Sequence, residues 1–146
     1  MKKIYVVFIS ILLFLVGCNN SVSNKPINEE KQLYDFILSI QTDKSIYEEE
    51  DIIKVSSYFE YVGEEIEFDE KPQFSIVIEN KESGSVVKQV AFENVKKIMK
   101  KGDEFSQTIK GLRLQKGNYQ LYVGTSFSVG PSNNLIITTP REFEVK

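Results

Sequence analysis

Leu114-Gln115-Lys116-Gly117-Asn118-Tyr119 runs straight into the longest alternation in the chain. From Tyr119 onward, Leu121, Val123, Thr125 and Phe127 fall on one side, and Gln120, Tyr122, Gly124 and Ser126 on the other. A period of two sends one set toward a core and the other toward solvent, so this stretch reads as a half-buried β-strand. Gly130-Pro131-Ser132-Asn133-Asn134 breaks it, and Leu135 to Val145 forms a last strand-like element that Pro140 is expected to split.

Upstream the same period recurs. Phe36, Leu38 and Ile40 alternate with Ile37, Ser39 and Gln41, and Ile53, Val55, Ser57, Phe59 and Tyr61 alternate with Lys54, Ser56, Tyr58 and Glu60. A turn follows at Val62-Gly63-Glu64, then Ile66 and Phe68 alternate with acids, and Phe74, Ile76 and Ile78 make another strand after Pro72. Asn80 to Gly84 is a turn, Ser85 to Phe92 is rich in Val, and Phe105 to Lys110 is strand-like. Between them, residues 93–101 fit a helix through Val95, Ile98 and Met99, or an edge or loop guarded by Lys96-Lys97 and Lys100-Lys101. The expectation is an all-β antiparallel sandwich of about seven to nine strands.

The Leu114-x-x-Gly117-x-Tyr119 pattern resembles the tyrosine corner of immunoglobulin-like sandwiches, in which a Tyr opening the penultimate strand bonds backbone a few residues upstream. The resemblance implies that Leu114 packs into the core, Gly117 takes the turn and Tyr119 holds the corner. Thr42-Asp43-Lys44-Ser45-Ile46-Tyr47-Glu48-Glu49 is similar to a Lys-x-x-Tyr-x-x-Gly-Glu opening found in many bacterial domains of this kind, except that Glu50-Asp51 stands in place of Gly-Glu. Across residues 34–146 the pattern is distantly similar to the family of the Bacillus intracellular proteinase inhibitor. That similarity implies an immunoglobulin-like β-sandwich and an inhibitory way of acting.

The N-terminus has a different character. Met1-Lys2-Lys3 precedes an apolar run from Ile4 to Val16, interrupted only by Ser10 and too short to cross a hydrocarbon core of roughly 30 Å. It ends at Leu15-Val16-Gly17-Cys18 and turns polar at Asn19-Asn20-Ser21. Those four residues resemble the bacterial lipobox. The resemblance implies a signal peptide over residues 1–17, cleavage before Cys18, and lipid on the Cys18 thiol. The protein is then expected on the outer face of the bacterial cell membrane, since two acyl chains anchor a protein where one does not. Residues 18–33, polar and containing Pro26, read as a flexible tether.

Composition narrows the chemistry. The chain has no His and no Trp, and its one Cys is the lipid carrier, so no disulfide holds the domain. The commonest general base, the thiolate nucleophile and the usual zinc ligands are missing, which points away from an enzyme and from any cofactor. Loss of residues 1–17 removes Lys2 and Lys3 but no acid, so the net charge of −3 becomes −5. An acidic domain is not expected to bind nucleic acid.

The remaining candidates are weak one by one. Glu48-Glu49-Glu50-Asp51 and the later Glu64, Glu65, Glu67, Asp69 and Glu70 offer carboxylates for Ca²⁺, but they read better as solvated turn and strand face, so no metal site is expected. Lys96-Lys97 and Lys100-Lys101 offer a dock for an acidic partner or guard an edge. Tyr58 and Tyr122 lie on the polar sides of their strands and, with Phe127, are candidates for a partner-binding platform. The loop from Ser126 to Asn134 is a further candidate. The expected function is that of a protein- or peptide-binding module. The alternatives are a spacer in an envelope assembly or, further off, a carboxylate-based enzyme.

Overall fold

The computed structural model describes residues 24–129 and 134–146. Its elements are β1 (Ile27–Leu33), β2 (Phe36–Thr42), β3 (Ile46–Tyr47), β4 (Ile53–Tyr61), β5 (Ile66–Glu67), β6 (Gln73–Asn80), β7 (Ser85–Ala91), β8 (Ile98–Met99), β9 (Asp103–Leu112), β10 (Gly117–Ser128) and β11 (Asn134–Val145). One sheet has the order β1-β2-β4-β9, the other β3-β11-β10-β6-β7, and β5 pairs with β8 alone. All pairings are antiparallel except that of β3 with β11. The expected all-β sandwich is the observed fold.

The alternation seen in the sequence is what drives the two sheets together. Ile53, Val55, Ser57, Phe59 and Tyr61 of β4 are buried, as are Tyr119, Leu121, Val123, Thr125 and Phe127 of β10. Their inward faces share one core with Leu38, Ile40, Ile76, Ile78 and Ile137. At one end of that core the rings of Phe36, Phe59, Phe68, Phe74 and Phe127 cluster, with Phe59 and Phe74 4.1 Å apart and Phe36 and Phe127 4.6 Å apart. Burial of such rings is the main favourable term for a domain without disulfides.

Three expectations need correction. Among the described residues the strands number eleven, because β3, β5 and β8 are two-residue pairings too short to show a period. Of the readings open for residues 93–101, edge and loop is the one observed: Val95 and Met99 are buried, and Ile98–Met99 pairs as β8 with β5. Pro140 does not split β11, which is continuous from Asn134 to Val145. It faces Tyr122 on β10, and β3 reaches only Glu144 and Val145 on the other side, so Pro140 sits along an unpaired edge where its missing N–H costs nothing.

The third correction concerns the tether, read from the sequence as extending to residue 33. Ile27–Leu33 instead pairs along the whole of β2. Its alternation is masked because only Ile27 is fully buried. Polar contacts hold it in place: Lys31 Nζ donates to the Thr138 carbonyl at 3.2 Å, and the Arg141 guanidinium pairs with the Glu29 carboxylate. These bridge β1 to β11 and close one side of the sandwich. The opposite side stays open along β7, where Val86 and Val87 are 55% and 40% exposed.

Candidate binding surface

At the start of β10 one tyrosine turns back on the chain before it. Tyr119 Oη donates to the Gln115 carbonyl at 2.8 Å, Leu114 packs against the core, and Gly117 opens β10. Tyr47 makes a parallel arrangement, donating to Asp43 Oδ1 at 2.7 Å and accepting from the Lys44 N–H at 3.3 Å. Burial, reinforced by the Asp43 carboxylate, holds the Tyr47 phenol well above its ordinary range. Asp51, which departs from the pattern, closes the turn: its carboxylate accepts from Lys44 Nζ at 2.7 Å and from the Glu48 N–H at 2.9 Å. Both donors favour the charged form, Lys44 first, so the Asp51 pKa is lowered.

The three aromatic candidates do not come together. Tyr58 is on the outer face of the four-stranded sheet, where its hydroxyl donates to Glu30 Oε2 at 2.6 Å, so β1 occupies its polar end. That bond, followed by desolvation, raises its pKa. Phe127 is buried at 6% exposure, with its ring 4.6 Å from Phe36 and 5.1 Å from Phe68, and so is a core residue. Its parity with Leu121, Val123 and Thr125 requires this. Tyr122 is half-exposed, as Tyr58 is, but on the outer face of the five-stranded sheet.

The acidic and basic runs largely answer each other. Lys97 pairs with Glu67 at 3.3 Å, Lys100 with Glu65 at 3.0 Å, and Lys96 with Asp103 at 2.8 Å. Among the described residues no three carboxylates converge on a common point. Of the loop singled out after Ser126, residues 126–128 belong to β10 and Asn134 to β11, and residues 130–133 lie outside the described residues.

What the sequence reading missed surrounds Tyr122. Register places Gly124 between Ser75 of β6 and Thr138 of β11, with Ala91 of β7 beyond Ser75. The next row is larger: Gln89, Val77, Tyr122 and Pro140. Four small residues abreast, below a ridge of four larger ones, make an uncharged trough across the strands. Its Ser75 and Ala91 end borders a depression of about 360 Å³, which shares Lys71 and Gln73 with a second of about 400 Å³ nearer Ser126. Ser75, Gln89 and Ala91 line the smaller, Ser126 and Ile136 the larger, and Ile136 is 70% exposed.

Gly124 shapes this floor by choice of residue rather than by steric need. A Cβ there would sit 3.5 Å from Thr138 Cγ2 and 3.7 Å from the Ile137 carbonyl, which is ordinary contact. A glycine inside a strand marks a bulge, a tight bend or a place where another backbone or a ligand approaches closely, and the register through Gly124 is unbroken on both sides, with no bulge. That signal was present in the sequence, between Tyr122 and Ser126. A scan of protein-family models finds no match to this chain, and a search of curated proteins finds none either.

Proposed function

We propose that the protein is a membrane-anchored extracytoplasmic lipoprotein whose sandwich binds an extended peptide segment of another protein across the five-stranded sheet. The observation that carries the binding reading is the uncharged trough through Ala91, Ser75, Gly124 and Thr138 beneath Tyr122. An extended chain fits such a trough because its backbone lies over small residues while its side chains reach the flanking depressions. The lipid anchor rests on Leu15-Val16-Gly17-Cys18, and an inhibitory role rests on resemblance of pattern.

The test is capture by crosslinking from intact cells, comparing wild type with Gly124→Val, Tyr122→Ser and Tyr58→Ser, each shown to fold by thermal melt. Valine suits a strand and fills the trough, so Gly124→Val should lose the partner without losing stability. Tyr58→Ser should keep it. A partner retained by folded Gly124→Val removes this surface from consideration, and a protease among the captured partners is the result that supports inhibition.

A further inference from the structure

We infer that one pole of the sandwich, built from Asn24, the Ser45-Ile46 segment, Lys116 and Lys146, is held against the bilayer and that the trough, on the side of the sandwich, therefore stands clear of it. This rests on the lipid anchor at Cys18.

The inference comes from Asn24. Its side-chain amide pairs with the free edge of β3 as a strand would: Oδ1 accepts the N–H groups of Ser45 and Ile46 at 3.1 and 2.9 Å, and Nδ2 donates to the Ile46 carbonyl at 2.9 Å. The other edge of β3 is taken by β11, and the Lys146 N–H donates to the Tyr47 carbonyl at 2.9 Å. Asn24 is thereby fixed to the pole that carries Lys146.

Six residue steps separate Asn24 from Cys18. Whatever their conformation, they reach at most about 20 Å. Because residues 27–33 are paired as β1 and Asn24 is bonded to β3, this reach, not that of a tether running to residue 33, sets how far the pole can stand from Cys18. At about 3.3 Å per residue, the Ser126 level of β10 lies roughly 30 Å from Gly117 along the strand. The depressions beside Ser126 then open beyond the headgroups, where a partner can reach them.

Tether length rather than charge sets this orientation. The charges at this pole are mixed and paired: Lys44 with Asp51 at 2.7 Å and Lys81 with Glu142 at 2.5 Å, and the Lys116 N–H donates to Glu49 Oε1 at 3.0 Å. The orientation should accordingly survive high salt, which screens exposed charges.

The experiment uses the full lipidated protein in vesicles with a headgroup-attached quencher. An introduced cysteine is the one free thiol once Cys18 carries lipid, so Lys146→Cys and Lys101→Cys each take a single fluorophore. Lys101 is at the other pole, where the Gly102 N–H bonds the Tyr61 carbonyl at 2.7 Å. Quenching should be several-fold stronger at position 146 than at 101, in low and high salt. Inserting a long Gly-Ser spacer after Ser23 should erase the difference. Equal quenching in a protein that floats with the vesicles overturns the orientation while leaving the anchor intact. A protein that does not float overturns the anchor, and the orientation with it.

Discussion

Tyr47 and Tyr119 hold one ring between them. Phe143 meets Tyr47 edge-on at 5.8 Å and stacks on Tyr119 at 5.4 Å. Each tyrosine also turns its hydroxyl back on the residue four positions before it, Asp43 and Gln115 respectively. Two loops that are remote in sequence, one before β4 and one before β10, are thereby tied to the final strand at the pole that holds Asn24. Both tyrosines are nearly fully buried, at 1% and 3% exposure.

Loss of the corner should therefore be measurable. Tyr119→Phe keeps the stacking on Phe143 but strands the Gln115 carbonyl, and should lower stability by about 1–3 kcal/mol. Phe143→Ala removes the shared ring and should cost about 3–5 kcal/mol. Urea unfolding of the folded domain checks both, and an unchanged midpoint for Tyr119→Phe would contradict the corner.

Phe127 and Tyr122 should separate packing from recognition. Phe127→Ala opens a hole in the Phe36, Phe59, Phe68 and Phe74 cluster, and should cost about 3–5 kcal/mol whatever its effect on binding. Tyr122→Ser should leave the thermal midpoint within a few degrees of wild type and weaken partner capture. The reverse pattern would return Phe127 to the surface and Tyr122 to the core.

Acid should loosen the β3–β4 turn before the core. Asp51 and Asp103 are both held below their ordinary value, by Lys44 and Lys96 respectively, with help from the Glu48 and Lys100 backbone N–H groups. A carboxyl lowered in the folded state contributes stability above its unfolded pKa of about 3.9, and that contribution is lost as pH falls through the folded value. Asp51→Asn should thus lower the denaturant midpoint at pH 7 and change it little near pH 2. Denaturant titrations at both pH values check this, and an equal loss at each would place the role of Asp51 elsewhere.

Lys88 should act as a guard on the open edge. It is the one charge in β7, beside a register shift at Ile78 and Glu79, and a lysine and a bulge are what keep an edge strand from pairing with another chain. Lys88→Val, flanked by exposed Val86 and Val87, should promote concentration-dependent self-association seen in sedimentation. A variant that stays monomeric would show that the bulge alone suffices.

Replacement of Cys18 by Ala should release the protein from membranes or leave an unprocessed precursor. Fractionation with mass measurement of the mature N-terminus checks it. A cleaved variant that still sediments with membranes would rule out the lipid anchor.

Much of this domain is written into local pattern. The inward faces of β2, β4, β6 and β10 follow from a period of two, because successive side chains on a strand must point opposite ways, and Leu114-x-x-Gly117-x-Tyr119 marks the corner because its hydrogen bond spans only four residues. Other features depend on what lies across the fold. The strand character of Ile27–Leu33 comes from its pairing with β2 and from Thr138 and Arg141, over a hundred residues away in the case of Lys31 and Thr138. Tyr58 and Tyr122 look alike in sequence, each the outward residue of a strand, yet they lie on opposite sheets, one with its hydroxyl bonded to Glu30 and the other above a trough. A strand's own alternation says which residues face out. Which neighbours then stand beside them is decided by sheet order and register, and these are set by the packing of the whole chain.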